Sequence, residues 1–226
     1  MKNRTDDTFQ RFCRATALIA GFLLCLSSME AQNNWKFRLE KNGIKVYSKR
    51  QENSAWNALK VTFEVEATLS QYVTTVLNVE EYKLWNHSAS NPYVVELIND
   101  SELIYYTEAK APWPVQDRFM VVHLKVTQDP TSKVVKIDLK NRPDLMPHKT
   151  GFVRIKDYHS CVTLTPITSS RLGVKCIVSL DPGGSIPAWV ANLVMDQTPV
   201  ITFSNLKERL GNLGNQRKPL AFISDK

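Results

Sequence analysis

The stretch at residues 181–210 constrains the fold of this chain more than any other segment. It opens with an Asp-Pro-Gly-Gly turn, whose two glycines admit backbone angles that residues with a Cβ avoid. Ser185 suits the N-cap position, and Pro187 then falls in the first helical turn, where a missing N–H costs little. Apolar residues follow at helical spacing, which predicts one long amphipathic C-terminal helix. The preceding residues must build the surface that this helix covers.

The predicted helix changes its apolar face at a proline. A proline inside a helix costs about 3 kcal/mol, so Pro199 predicts a kink. Gln197, near the centre of the run, is interpreted either as a satisfied amide in the helix face or as a ligand contact. The apolar positions before and around the proline are Ile186, Trp189, Val190, Leu193, Val194, Val200 and Ile201. Those on the rotated face beyond it are Phe203, Leu206 and Leu210.

The middle of the chain has the two-residue periodicity of strands. Asn42-Gly43 lies between two strand-like runs, 35–41 and 44–49, and is a strong hairpin signal. Residues 55–67 alternate cleanly, with Leu59, Val61, Phe63, Val65 and Ala67 on one face. Further strands are predicted at residues 93–98, 102–109, 118–127, 134–140, 152–165 and 172–180.

Two short helices interrupt the strands. Thr68 or Ser70 can cap a helix that runs through Leu77, and residues 80–85 form a second helical piece. The order is strands, two short helices, a long antiparallel run and one long helix. This order predicts an α+β fold in which a curved antiparallel sheet wraps around the C-terminal helix. A one-sided apolar sheet closed by a helix leaves room for a pocket between the two.

The first 31 residues have the features of a cleavable signal peptide. A basic region precedes the apolar run at residues 15–26, which is too short to span a bilayer comfortably. Cleavage after Ala31 would export the protein to the periplasm or the outside. An uncleaved anchor and an unrelated apolar N-terminus remain alternatives. The predicted organisation is a signal peptide (1–31), one ligand-binding domain (32–212) and a C-terminal tail (213–226).

The charge and the residue composition of the chain exclude several classes of function. The formal net charge of +7 indicates either a solvated basic surface or attraction to anionic membranes. There is no dense basic cluster with interleaved aromatic residues, so we expect no nucleic-acid partner. Neither metal-ligand spacing nor a catalytic motif occurs, and we expect no catalytic residue, metal or cofactor. Cys161 and Cys176 could form a disulfide after export, but their spacing does not decide it. We expect a monomer.

A proline-rich loop and the arginine after it have features that are unusual for a connection and for an apolar strand face. The loop at residues 111–115 carries Trp113, either as a hydrophobic plug or as a gate that touches ligand or membrane. Arg118 shares a strand face with Met120 and Val122, so its guanidinium is predicted on the pocket side. A buried charge needs a partner. Glu108 on the preceding strand is one candidate, and a ligand's polar group is the alternative.

These motifs resemble a known family. Pro112-Trp113-Pro114-Val115 followed by Arg118, and Asp181-Pro182-Gly183-Gly184-Ser185-Ile186-Pro187-x-Trp189, resemble the START (steroidogenic acute regulatory protein-related lipid-transfer) domains, as does Gly43-Ile44-Lys45-Val46-Tyr47. The resemblance covers residues 35–210. It implies a helix-grip fold with a hydrophobic tunnel and lipid binding, with the Trp113 loop and the helix at residues 186–201 as the entrance. In the family an aspartate commonly follows the arginine, whereas Phe119 follows Arg118 here.

The resulting hypothesis is a non-enzymatic protein that binds and carries one hydrophobic, lipid-type molecule. A lipid-responsive sensory or adaptor module is the first alternative, and a cyclase or hydrolase on the same fold is the second. Arg118 and Gln197 are expected to meet the ligand's polar end, and transient contact with an anionic membrane is expected. The residues predicted to bind the lipid are Phe63, Trp113, Arg118, Val122, Leu124, Val178, Trp189, Val190, Leu193, Gln197 and Ile201.

Overall fold

The computed structural model describes residues 34–52, 54–213 and 219–225. The described strands are β1 (Lys36–Lys41), β2 (Ile44–Lys49), β3 (Ala58–Glu66), β4 (Ala89–Asn99), β5 (Glu102–Ala109), β6 (Arg118–Gln128), β7 (Val135–Asn141), β8 (Val153–Arg154), β9 (Asp157–Thr168) and β10 (Arg171–Asp181). The described helices are α1 (Leu69–Leu77) and α2 (Ala188–Leu213), with 3₁₀ turns at Val79–Leu84 and Pro143–Leu145. The predicted signal peptide lies outside the described residues.

The strands form a single curved sheet in the order β1-β2-β3-β10-β9-β7-β6-β5-β4. Neighbours on this path are antiparallel, and the short β8 adds to β6 in parallel. Asn42 and Gly43 turn the β1–β2 hairpin with φ values of 55° and 72°, the positive values that this two-residue turn requires. The predicted α+β fold, a curved sheet wrapped around a C-terminal helix, is confirmed.

The sheet packs one apolar face against the helices. The predicted alternation in β3 is confirmed, because Leu59, Val61, Phe63 and Val65 are buried while Glu64 and Glu66 are exposed. Buried apolar residues continue on this face across the sheet. Its buried members in β6 and β7 are Val122, Leu124, Val126, Val135, Ile137 and Leu139.

The C-terminal half of α2 lies on this inner face, where Val200, Leu206 and Leu210 are buried. The helix backbone approaches β1, β2, β3 and α1 most closely. The capping box of Thr68 and Gln71 begins α1, since the Thr68 hydroxyl accepts from the Gln71 amide at 3.2 Å and the Gln71 side chain accepts from the Thr68 amide at 2.7 Å. The residues that close the interior therefore come from both helices.

A smaller apolar cluster lies apart from the main core. Ile104 and Tyr106 of β5 and Phe119 and Val121 of β6 form it, and Phe152 packs against it from the connection between β7 and β9. This connection explains one difference from the sequence prediction. Residues 152–165 were expected as one strand, but the chain first pairs with β6 as β8 and then turns into β9.

The start of α2 also differs from expectation. The helix begins at Ala188 rather than after Ser185, because the Pro187 carbonyl accepts the first helical bonds, from Val190 at 3.0 Å and Ala191 at 3.1 Å. It then continues through Pro199. Residues 219–225 of the predicted tail pack on the domain, since Ile223 is buried and the Ser70 amide donates to Asp225 Oδ1 at 2.8 Å.

Candidate functional site

The loop between β5 and β6 is held closed by an aspartate at its base. Asp117 Oδ1 accepts from the Ala111 amide at 2.9 Å, and its Oδ2 accepts from Lys110 Nζ at 2.8 Å. Burial raises the pKa of the Asp117 carboxyl. The hydrogen bonds from Lys110 and the Ala111 amide lower it by more, so the pKa lies below the usual range. The carboxylate therefore stays ionised and holds the two ends of the loop together at the start of β6.

Arg118 is buried at this start of β6, with 5% of its surface exposed. Its Nη2 donates to the Gly183 carbonyl at 3.3 Å, and its Nη1 donates to the Gln116 carbonyl. Its Nε has no hydrogen-bond partner among the described residues. Burial lowers the pKa of the guanidinium, and the adjacent Asp117 charge partly opposes this. Arg118 thus joins the loop to the turn before α2 with part of its donor capacity unused.

Glu108, one of the two candidate partners of Arg118, does not pair with it. The β5–β6 register places Glu108 opposite Phe119 and Ala109 opposite Arg118. Residues opposite one another share a face of the sheet, so Glu108 and Arg118 point to opposite faces. Glu108 instead forms an ion pair with Lys149 of the β7–β8 connection.

Glu108 is the centre of a buried polar cluster on the outer side of the sheet. It pairs with Lys149 and accepts from the Tyr106 hydroxyl at 2.8 Å and from Asn91 Nδ2 at 3.4 Å. Burial raises the pKa of the Glu108 carboxyl, but the bonds from Lys149, Tyr106 and Asn91 together lower it below its usual range. The Lys149 ammonium also lies 4.2 Å from the centre of the Phe152 ring. This cluster fastens the β7–β8 connection to the sheet.

A pocket of about 610 Å³ opens beside Arg118. It lies between the β5–β6 loop, β8 and the turn before α2, so three separate segments form its wall. Gly183 has a φ of 67°, and a Cβ there would lie 3.0 Å from the Arg154 carbonyl oxygen, which explains why the turn needs glycine. The lining residues are Pro114, Val115, Gln116, Arg118, Val153, Gly184, Ser185, Ile186 and Pro187.

Trp113 lies at the tip of the loop beside this pocket. Its surface is 89% exposed, so the indole does not pack beneath the loop as a plug. The peptide bond to Pro114 is cis. Of the two interpretations of this residue, only the one with an outward-facing ring fits the structure.

The other predicted lipid-binding residues differ in how far they are buried. Phe63, Val122, Leu124 and Val190 are buried, and Val178 and Ile201 are partly buried. The side chains of Trp189 and Leu193 lie outside the described part of the chain. Gln197 is exposed, so its expected contact with the ligand's polar end does not fit this arrangement. The reason is the rotation of α2, which buries Val200 and Leu206 and ties Asp196 to Arg38 of β1.

Sequence reasoning missed a group of buried tyrosines inside the domain. Tyr82 packs edge-on against Tyr105 of β5 at 5.4 Å between ring centroids, and its hydroxyl donates to the Val76 carbonyl at 2.6 Å. Burial raises the pKa of Tyr72, Tyr82 and Tyr105. Their phenols therefore remain neutral hydrogen-bonding groups in an apolar interior. The spacing of these tyrosines matched the core face, and nothing in that pattern separated them from ordinary core residues.

Trp85 adds an unused donor to the same region. The ring packs on Tyr82 with 4.9 Å between centroids, and its Nε1 is buried with no hydrogen-bond partner among the described residues. A buried indole N–H usually finds a partner. The described residues therefore leave this one buried donor of the interior unbonded.

The two cysteines of the domain are free thiols. In the β9–β10 register Cys161 lies opposite Ile177, and Cys176 lies opposite Val162. They are offset by one residue and therefore point to opposite faces of the sheet. Cys176 is buried beside the Ser160 hydroxyl, and burial raises the pKa of its thiol to about 11.

The described residues hold no group of three or more histidine, cysteine, aspartate or glutamate side chains that could bind a metal. His123 forms a hydrogen bond with Glu102 at 2.7 Å and His159 forms one with Asp138 at 2.7 Å, both across neighbouring strands. Within residues 34–52, 54–213 and 219–225, every helix is too short or too polar to cross a membrane.

The family model of the START domain matches residues 20–216. A protein of Pseudomonas aeruginosa is 25% identical over 194 residues, which cover 86% of this chain and 95% of that protein. The mitochondrial steroidogenic acute regulatory protein of Danio rerio is 27% identical over 198 residues, which cover 84% of this chain and 68% of that protein.

A solved structure supports the same comparison. The crystal structure of the STAR-related lipid transfer protein from Xanthomonas axonopodis superimposes with a TM-score of 0.72 and 26% identity. The match covers 79% of this chain and 99% of that one.

Proposed function

The chain belongs to the START domain family, and on that premise we propose that it binds one hydrophobic, lipid-type molecule between the sheet and α2 and carries it between membranes. The observation that carries the proposal is the apolar inner face of the sheet, closed by α2, with a pocket of about 610 Å³ beside the N-terminal end of that helix. Among the described residues predicted to bind the lipid, Arg118 alone lines this pocket, so its volume describes the proposed entrance and not the space for the hydrocarbon.

Burial of apolar surface drives the proposed binding. A ligand that hides about 300 Å² gains about 7 kcal/mol before ordering costs, at about 25 cal/mol per Å². The inner residues Val122 and Leu124 offer no charge to such a molecule. The tyrosines at positions 72, 82 and 105 and the Trp85 N–H supply neutral polar contacts.

Exchange with a membrane is proposed at the Trp113 loop. An exposed tryptophan prefers the interface between headgroups and acyl chains. The net charge of +7 favours approach to an anionic surface. The loop and the turn before α2 border the same pocket, so their separation would open a path for the ligand.

We propose that the chain acts by binding rather than by catalysis. His123 and His159 are bonded to carboxylates in local cross-strand contacts, and the buried tyrosines have raised pKa values that disfavour proton transfer. Export by a cleavable signal peptide is part of the proposal. Its test is the mass of the protein from its own host, which would begin at Gln32 after cleavage, whereas an uncleaved N-terminus would overturn the cleavable signal peptide and leave lipid binding standing.

Lipid transfer between vesicles tests the proposed activity. Donor vesicles would carry a fluorescent fatty acid, phosphatidylcholine or sterol, and the protein is expected to accelerate the transfer of at least one of them. Val122→Thr places a hydroxyl in the buried interior and is expected to slow transfer. The matched control is Val94→Thr on the exposed strand β4. Failure to move any lipid in the panel, or equal slowing by both variants, would overturn the proposal.

A further inference from the structure

We infer that the pocket beside Arg118 binds an oxyanion, and that the transported lipid therefore has a carboxylate or phosphate headgroup held at this position. The inference rests on the proposed function and adds the chemistry of the ligand's polar end. It also assigns an orientation, with the headgroup at the mouth of the domain and the hydrocarbon directed inward.

The first support is a buried positive charge without a carboxylate partner. Among the described residues, Arg118 forms no ion pair, and its guanidinium bonds only to the Gln116 and Gly183 carbonyls. Its Nε is buried and unbonded within the described part of the chain. A buried arginine without a counter-ion is costly. Because Arg118 also lines the pocket, an anion there would neutralise the charge.

The nearby carboxylates are already engaged elsewhere. Asp117 binds Lys110 and the Ala111 amide, and Asp181 Oδ1 accepts from the Gly183 amide at 2.9 Å. Glu108 points to the opposite face of the sheet. The adjacent Asp117 attracts the guanidinium through space but does not bond to it. An oxyanion from the ligand would therefore be the first anion to bond directly to Arg118.

The second support is the end of α2 that adjoins the pocket. Residues 184–187 line the pocket, and the helix begins at Ala188, directly after them. The first N–H groups of a helix have no partner within it, and this end carries a partial positive charge. Ser185, which carries a hydroxyl, is one of the lining residues. Arginine, helix N-terminus and hydroxyl together form a set of donors suited to a carboxylate or phosphate.

A purely structural role for Arg118 predicts different behaviour. In that case its bonds to Gln116 and Gly183 would only fasten the loop to the turn before α2. Loss of the side chain would then lower stability and weaken all lipids equally. An anion site would instead distinguish lipids that differ only in headgroup charge, so the ratio of two affinities separates the two roles.

The experiment compares hexadecanoate with hexadecanol, which share a chain length and differ in headgroup charge. Delipidated full-length protein would be titrated with each by displacement of a fluorescent probe. The native protein is expected to bind hexadecanoate about tenfold more tightly, the scale of one charge-assisted hydrogen bond. Arg118→Gln is expected to abolish that ratio and to keep hexadecanol binding. The matched control, Arg142→Gln, removes an arginine outside the pocket and should leave the ratio unchanged.

A second variant and a second ligand separate the remaining explanations of the result. Arg118→Lys keeps the positive charge but loses the bidentate hydrogen bonding of the guanidinium. It should keep most of the hexadecanoate-to-hexadecanol affinity ratio, so a loss of the ratio in Arg118→Gln can be separated from misfolding of that variant. Inorganic phosphate alone distinguishes a free anion from a lipid headgroup. Displacement by phosphate without preference for hexadecanoate would overturn the headgroup assignment. Equal binding of both lipids to the native protein overturns the inference while lipid binding stands, and binding of neither overturns both.

Discussion

Phe203 of α2 packs on Phe63 of β3, with 4.9 Å between the two ring centroids. Leu206 and Leu210, on the same side of the helix, are buried against the interior. These contacts fix the C-terminal half of α2 to the β2–β3 side of the sheet. We therefore expect any opening of the domain to involve the N-terminal half of the helix, beside the pocket at Arg118.

Phe203→Ala tests the fixed half of the helix. Loss of a partly buried ring that packs against the core should lower the free energy of unfolding by about 2 kcal/mol, measured by urea denaturation. Phe37→Ala is the matched control, because Phe37 lies on the edge strand β1 and is 59% exposed. The control should cost less than about 1 kcal/mol. Similar losses in the two variants would contradict the assigned packing.

The Glu108 cluster predicts a dependence of stability on pH. Because the folded pKa of Glu108 is lowered, its contribution to stability is complete above the unfolded value of about 4.3 and is lost as the pH falls through the folded value. Glu108→Gln should therefore cost about 1–2 kcal/mol at pH 7, with a smaller difference from the native protein at pH 3.5. Urea denaturation at several pH values measures this.

The control for that experiment is Glu66→Gln, a change at an exposed carboxylate of β3. It should leave stability at pH 7 within about 0.5 kcal/mol of the native value. A Glu108→Gln deficit that stays constant down to pH 3.5 would show that the carboxylate charge does not stabilise the cluster.

The thiols predict a difference in chemical reactivity. Burial raises the pKa of Cys176 to about 11, so the thiolate is scarce near pH 8 and iodoacetamide should modify it slowly. Cys161 is only partly buried, on the opposite face of the sheet. Peptide mass spectrometry should find Cys161 modified first, and Cys176 only after unfolding in urea. Rapid modification of Cys176 in the folded protein would contradict its placement.

Trp113 predicts a specific defect at membranes. Trp113→Ala removes an exposed ring and should leave the unfolding midpoint unchanged. It should reduce co-sedimentation with vesicles containing phosphatidylglycerol several-fold, since tryptophan anchors at the interface. Leu97→Ala, an exposed apolar change on β4, is the control and should bind normally. Equal loss in both variants would point to general surface hydrophobicity instead.

Much of the fold could be predicted because its signals are local. The Asn42-Gly43 turn, the alternation in β3 and the Thr68 cap each depend on a few adjacent residues. The position of Arg118 on the pocket side also followed from alternation along one strand. The sequence therefore predicted most of the elements, their order and one residue of the candidate site.

The remaining features depend on relations between segments distant in the sequence. The face of Glu108 relative to Arg118 is set by the β5–β6 register, which the sequence of either strand does not specify. The exposure of Gln197 depends on how α2 is rotated when Asp196 meets Arg38. The pocket itself requires three separate segments to meet. None of these relations has a signature in a short window of sequence.

The central claim is that the interior between the sheet and α2 holds one lipid. Native mass spectrometry of the protein purified from its own host tests it most directly. We predict a single adduct with the mass of one lipid, which is released when the protein is denatured. A protein that carries no adduct as purified, and gains none after incubation with fatty acids, phospholipids and sterols, would contradict the claim.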